Sequence, residues 1–417
     1  MTVFLAGGIA WALKRAEEVP NHVRAEGSFW EVLTYKHKKS FGGFTPEEVA
    51  EAVARGRALR DQMVLEFPNL AIAFHPVPDE ENGFLQVIEF TNSDSGESSA
   101  PRNLRKLVDE KTFDVAHAEQ LLNEHAEYVN QVSQIAALSR RSSTVEPEIY
   151  NGFLDARTNR VNWKLLMVKA QLAAERGDDV EARAQVSLAL NYVGHLEEVE
   201  VVSLLAETVA TLGHLDFRAT LFGDILPALE GQADLEAWKS LMMKDYSPQR
   251  FARVMRGEWH IIMEHFLCLC AIDGKGKPFE DLEQLARVMS SGYGDLVSRL
   301  ESMDMQEFYK HPGFALSKNK VWTLSEESRE AYESLHVGAE AWAQGYLRVT
   351  RQVALGDSVL DLLIAESEGL DLSQVTETRV LDPETEKPFQ FDPVTRTVSL
   401  VDNEKGIYKI EPIALPW

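Results

Sequence analysis

Ala170-Gln-Leu-Ala-Ala174-Glu-Arg-Gly177-Asp178 and, 36 residues on, Ala206-Glu-Thr-Val-Ala210-Thr-Leu-Gly213-His214 read as two copies of one unit. Ala170 answers Ala206, Ala174 answers Ala210 and Gly177 answers Gly213. Beyond the turn, Val186 answers Phe222 and Leu190 answers Leu226. Small residues let two helices approach closely, and glycine reaches the positive φ that ends a helix and turns the chain back. Residues 161–226 therefore read as a helical-hairpin repeat, with Gly177 and Gly213 as its turn positions. The expected fold class is mainly α, a helical-hairpin bundle or solenoid with a small antiparallel β element at the C-terminus.

The flanks extend the helical pattern. Trp163, Leu166, Met167, Ala170 and Ala174 form a helical stripe, and helices are expected near 180–193, 197–212 and 215–226, closed by Pro227. Upstream, Thr45-Pro46-Glu47-Glu48 is a helix start, with a capping threonine and a proline in the first turn. That helix runs to about Phe67. A loop over 70–83 leads into a strand or short helix at 84–90. Thr91–Ser99 is polar, exposed and mobile, residues 113–139 are helical, and 139–148 is a linker. Downstream, helices are expected at 235–244, 249–269, 280–290 and 293–303. A long helix runs from the cap-like Thr323-Leu-Ser-Glu326 to Leu355, with another through 360–365. From Val375 the character changes. The turn signals Asp382-Pro383 and Asp392-Pro393 separate strand-like runs at 388–391, 397–401 and 408–410. The segments expected are an apolar helix at 1–19, a looped helical region at 20–150, the repeat-like domain at 151–370 and the β element at 371–417.

The totals bound the function. Hydrophobic residues make up 45% and charged residues 26% of 417, which are globular proportions. Forty-two basic against 66 acidic residues leave a net charge of −24, a field that repels phosphate backbones and anionic headgroups, so nucleic acid is excluded as a partner. Cys268 and Cys270, the two cysteines, fall on different faces of an expected helix. They neither bond to each other nor build a zinc site. Met1–Leu13 is uncharged and is followed by Lys14-Arg15. As a helix it reaches ~20 Å, short of the ~30 Å hydrocarbon core. Three readings stand: the tail of a signal anchor whose basic start lies upstream, a buried or interfacial helix, or a short signal segment. Lys14 and Arg15 oppose simple export.

Few motifs carry chemistry. His260-Ile-Ile-Met-Glu264-His265 has its histidines five apart, about 140° around a helix, so they do not face one metal. His260, Glu264 and Cys268 share a face at four-residue steps, and an i, i+4 His–Glu pair beside a buried thiol accounts for them. Gly274-Lys-Gly276-Lys277 lacks phosphate-loop spacing, and Ser317-Lys-Asn-Lys320 lacks the partner motifs of a serine enzyme. Glu47/Glu48, Asp178/Asp179 and Glu197/Glu198 are read as helix starts, where acids complement the dipole. Trp163, Trp238, Trp259 and Trp342 are read as core. No catalytic, cofactor-binding or metal-binding residue is assigned, and no cofactor.

Two resemblances add to this. Gly177-Asp178-Asp-Val-Glu181-Ala182-Arg-Ala-Gln-Val186-Ser-Leu-Ala189-Leu190 resembles the second half of a tetratricopeptide repeat. The second copy departs from it, with Arg218 at the first alanine position and Ile225 at the later one. The order of an apolar start, Val77-Pro-Asp-Glu-Glu-Asn82-Gly83, Arg256-Gly-Glu258, the helical run 346–355 and the ending Asp382-Pro-Glu-Thr-Glu-Lys-Pro-Phe-Gln-Phe391 is similar to uncharacterised envelope-anchored helical proteins of planctomycete and verrucomicrobial bacteria. Glu386 stands where their ending carries glycine. The ending also loosely resembles the β tail of type II secretion pseudopilins. The resemblance implies a location, the cell envelope or periplasm, and no reaction. The function expected is a non-enzymatic envelope protein that presents a helical surface to a protein or peptide, with any membrane contact made through residues 1–13. Two alternatives remain. One is a hydrolase-type enzyme assembled from the helical domain, with His260, Glu264 and His265 the first to test. The other is a soluble cytoplasmic scaffold, if Met1–Leu13 packs in a core.

Overall fold

The computed structural model describes residues 46–92, 100–110, 113–143, 156–271, 277–310, 321–335, 339–401 and 410–416. The fold is mainly helical with a small four-stranded antiparallel sheet. The segments 1–45, 93–99 and 402–409, and with them the apolar start and residues 408–409 of the strand expected at 408–410, lie outside the described residues, and Ile410 is not in a strand. Among the described residues no helix is long and apolar enough to cross a membrane. Two compact units share the chain: Met1–Ala73, Val201–Leu204 and Ser247–Tyr346 form the first, and Phe74–Glu200, Leu205–Tyr246 and Leu347–Trp417 the second.

In the first unit, Ser247 caps the helix Pro248–Ile261 by accepting from the Arg250 N–H at 3.2 Å, and Pro248 occupies a first-turn position where no donor is missed. Its buried face, Phe251, Val254, Met255 and Trp259, packs on the helix Leu282–Ser302, which buries Leu285, Met289, Tyr293 and Leu296. The Trp259 indole donates to Ser290 Oγ at 3.1 Å. Phe251 stacks on Tyr346 with ring centroids 5.4 Å apart and meets Phe308 edge-on at 5.9 Å. The helix Pro46–Glu66 crosses the π turn Ile262–Phe266 at Gly56. A Cβ on Gly56 would stand 2.5 Å from the carbonyl oxygens of Met263 and Glu264, so only glycine lets the two backbones meet.

In the second unit, the hairpin Ala156–Glu175 and Asp179–Glu197 forms as expected at Gly177. Gly177 has φ +72°. Its N–H bonds to Ala174 O at 2.8 Å and the Asp178 N–H to Ala173 O at 2.9 Å, the two bonds of a Schellman end. Asp178 then caps the next helix by accepting from the Glu181 N–H at 3.0 Å. Ala170, Ala174, Ala206 and Ala210 are all buried, as the close packing of helices requires. Between the helices Tyr128, Asn162, Tyr192 and Asn159 form a hydrogen-bonded ladder with steps of 2.6 to 2.8 Å.

The second turn of the expected repeat is overturned. Gly213 lies inside the continuous helix Leu204–Thr220, so the helices expected at 197–212 and 215–226 are one. The helix passes through a π turn, Leu221–Ile225, into Leu226–Leu229. The wide turn falls just before Pro227, which has no N–H to give the ladder. Arg218, at the position where a repeat would carry alanine, is buried. It donates to Met242 O at 2.8 Å and to Asp357 Oδ1 at 2.9 Å. Other boundaries also moved. Residues 84–90 belong to a helix, Gly83–Asn92. The expected helix at 113–139 is broken at His125, into Val115–Glu124 and Ala126–Ala137. The late helical residues form Glu326–Leu335 and Ala339–Ser367, with 336–338 outside the described residues, and the separate helix expected at 360–365 belongs to Ala339–Ser367.

The sheet runs β1 (Glu377–Leu381), β2 (Pro388–Asp392), β3 (Thr397–Ser399) and β4 (Ile413–Ala414), paired in that order. Alternation points Phe389, Phe391 and Val398 inward, where they join the same core as Trp163, Val186 and Phe217. Asp382 closes the β1–β2 turn, accepting from the Glu384 N–H at 3.1 Å and the Thr385 hydroxyl at 2.8 Å, and is held by both Arg351 nitrogens at 2.9 and 2.7 Å. Glu386 sits at φ +57°, a left-handed position that suits glycine.

One rule of backbone strain gives opposite outcomes at two turns. Gly177→Ala is expected to destabilise the second unit by ~1 kcal/mol and Glu386→Gly to stabilise it by up to about 1 kcal/mol. Urea unfolding of the two variants checks both signs.

Candidate functional site

The residues nominated by sequence lie in the first unit, where the helix Pro248–Ile261 loosens into the π turn Ile262–Phe266 and continues as Leu267–Cys270. A π turn adds a residue to the spiral and shifts the register of everything after it. The expected His260–Glu264 pair is not what holds these side chains. His260 Nε2 lies 3.1 Å from Leu70 O, and because a carbonyl only accepts, that nitrogen carries the proton. Glu264 instead takes Arg57 Nε at 2.6 Å on one oxygen and Arg60 on the other. His265 Nε2 stands 3.8 Å from Glu264.

Burial lowers the His260 pKa to about 4, and Arg60 adds to the shift against weaker support from the Leu70 carbonyl and Glu264. Burial likewise lowers His265, with Glu264 opposing. The Cys268 thiol is pushed up to about 11 by burial. The group is therefore two neutral imidazoles, a protonated thiol and a carboxylate clamped by two guanidinium groups. No set of three or more His, Cys, Asp or Glu side chains that could hold a metal occurs among the described residues. Residues 272–276 and 311–320, which contain most of the two lysine motifs, lie outside the described residues.

A cluster that sequence reading missed lies in the second unit. Glu197 is the last residue of the helix Asp179–Glu197 and Glu198 its C-cap, not the start of a helix. A carboxylate at a helix C-terminus faces the negative end of the dipole and calls for cations. They are present. Glu197, only 1% exposed, meets His214 Nε2 at 2.8 Å and the Lys244 ammonium, and Lys244 reaches Glu198 at 3.3 Å. Arg141 Nη1 lies 3.0 Å from Glu198. Close by in sequence, His195 Nε2 bonds to Ile135 O at 2.9 Å, and burial with help from Arg141 lowers its pKa to about 4. His214 lies on the helix Leu204–Thr220 and Lys244 beyond the helix Leu235–Met242, so no local pattern announces these partners of Glu197.

The far end of the same hairpin gathers carboxylates from two turns. The turn at Gly177 carries Glu175, Asp178, Asp179 and Glu181, and a second turn carries Glu230, Asp234 and Glu236. The turns are neighbours. A Cβ on Gly177 would be 3.1 Å from the Gln232 side chain, and Arg183 reaches Asp179 at 2.8 Å and Asp234 at 4.0 Å. The Trp238 indole donates to Asp179 Oδ1 at 2.7 Å and fixes the acid in place. Seven carboxylates thus stand against the guanidinium groups of Arg176 and Arg183, and Val180 among them is 69% exposed.

Comparison with family models, characterised proteins and solved structures finds no match for this chain.

Two outcomes follow from the buried groups. Glu264→Gln leaves Arg57 and Arg60 without their anion and is expected to lower stability by about 1–2 kcal/mol, read by chemical denaturation. His195 and His260, with depressed pKa values, are neutral in the fold and add stability above pH 6.5 that is lost as pH falls towards about 4. Their imidazole proton resonances should stay unshifted down to about pH 5.

Proposed function

We propose that this chain is a non-enzymatic binding protein of the cell envelope that presents the acidic end of its hairpin to a basic protein or peptide segment. The observation that carries the reading is the pair of neighbouring turns around Val180. Seven carboxylates there outnumber the basic side chains, and an apolar side chain stands exposed among them. Such a surface suits a segment with lysines or arginines spaced around one apolar residue. The residues that reaction chemistry would recruit are engaged in holding structure, Glu264 between two arginines and His260 on a backbone carbonyl.

The hairpin is read as a single tetratricopeptide-like unit, with Gly177, Ala182, Val186 and Ala189 in the expected places, supported by the helices and sheet that share its core. The envelope location is supported by the apolar run Met1–Leu13 and by the order of motifs that resembles envelope-anchored bacterial proteins.

Titration calorimetry with a short peptide alternating lysine pairs and leucine tests the binding. Micromolar affinity is expected at 50 mM salt, roughly tenfold weaker at 300 mM. Asp178→Lys with Glu181→Lys should abolish it, and Glu330→Lys with Glu333→Lys, an equal charge change on the other unit, should leave most of it. Equal losses from both pairs would mean that only net charge is being read. Fractionation of the full chain against one lacking residues 1–18 tests the location, which fails if both remain in the same fraction.

A further inference from the structure

Val201–Leu204 is the shortest piece of the first unit, and the chain on both sides of it belongs to the second. The helix Pro248–Ile261 holds this strap at two adjacent positions. On Gly257 a Cβ would stand 2.3 Å from Val202 O and 2.6 Å from Val202 N, so the strap lies directly on the helix backbone. The next residue, Glu258, is buried, and its Oε2 accepts from the Leu204 N–H at 2.8 Å.

We propose that Glu258 is a proton-operated latch: as the neutral acid it keeps the strap closed on the helix, and loss of its proton loosens the strap. A carboxylate removed from water needs a cation or several N–H groups, and the strap offers Glu258 the single N–H of Leu204, a helix-start donor of partial positive charge, and no ionised side chain. From the packed helix Leu282–Ser302 Tyr293 interacts electrostatically with Glu258, and Tyr332 in turn with Tyr293; both are phenols raised by burial and neutral throughout this range. On its own helix Arg256 is committed to Asn69 O at 2.8 Å and to Glu301, and His260 to Leu70 O. A neutral carboxyl still accepts the Leu204 N–H through its carbonyl oxygen. An ionised one gains by opening to water.

Burial carries the Glu258 pKa from 4.5 to about 7, outweighing the pull of the Leu204 bond. The closed strap therefore holds more protons than the open one between those values. Opening becomes easier as pH rises through that window, by up to about tenfold per pH unit, and levels off above it. In the closed state near neutral pH, both protonation forms are populated.

Hydrogen–deuterium exchange of the full chain, followed by mass spectrometry on fragments that isolate the Leu204 amide, tests this between pH 5 and 8. After correction for intrinsic exchange, the opening constant should rise at least tenfold from pH 5 to 7 in the native chain and stay flat in Glu258→Gln. A flat native profile, or the same rise in the variant, overturns the latch. Should the variant not fold, the carboxyl carbon resonance of Glu258 in the native chain decides the matter. Titration near 7 supports the latch, and titration near 4.5 overturns it.

Discussion

A carboxylate taken out of water costs several kcal/mol unless a cation or a set of N–H groups meets it, and both units are arranged around that requirement. Glu264 is met by Arg57 and Arg60, Glu197 by His214 and Lys244, and Asp382 by both nitrogens of Arg351 and the donors of its own turn. Arg218 presents the converse case, a buried guanidinium met by Asp357 and a backbone carbonyl. Apart from the turn donors of Asp382, these contacts join residues between 17 and 207 positions apart, so they specify which elements neighbour each other more than they strengthen any one helix. Glu258 departs from the pattern. Among the described residues it has the burial and one N–H without a cation, and burial raises its pKa.

What could be read in the sequence was what local chemistry decides. Gly177 was legible as a turn because Asp178 follows it as a cap, with its acceptor aimed at the Glu181 N–H. Gly213 has the same neighbours in pattern but is followed by His214 and Leu215, neither of which caps a helix, and the helix runs through it. That absence of a cap was the signal that separated the two. Strands β2 and β3 were legible from alternation and the Asp-Pro turns, while β1 and β4 were not anticipated; Glu386 stood out only through the resemblance, whose ending carries glycine there, and the structure gives it a left-handed φ of +57°.

The candidate sites were far less legible. Counting by fours from His260 to Glu264 assumes an α spiral, and the π turn begins between them. Its position matches the crossing at Gly56, a contact made by a helix some 200 residues earlier in the chain, and no window of local sequence contains it. The Glu197 cluster failed for a related reason. Its acid pair was assigned to the beginning of a helix and stands at the end of one, which reverses the sign of the dipole it faces. Once the boundary is known, the need for Lys244 and His214 follows directly.

The division of the chain has a bearing on how the protein is made. The chain passes from one unit to the other at 73/74, 200/201, 204/205, 246/247 and 346/347, five times in all. Neither core is therefore a contiguous stretch that could close as it leaves the ribosome. The first waits for Phe308 and Tyr346 to cover Phe251, and the second for Phe389, Phe391 and Val398 to seal Trp163 and Phe217. Until then the apolar faces of the early helices lack the partners that cover them in the finished fold, and the cores close late in synthesis.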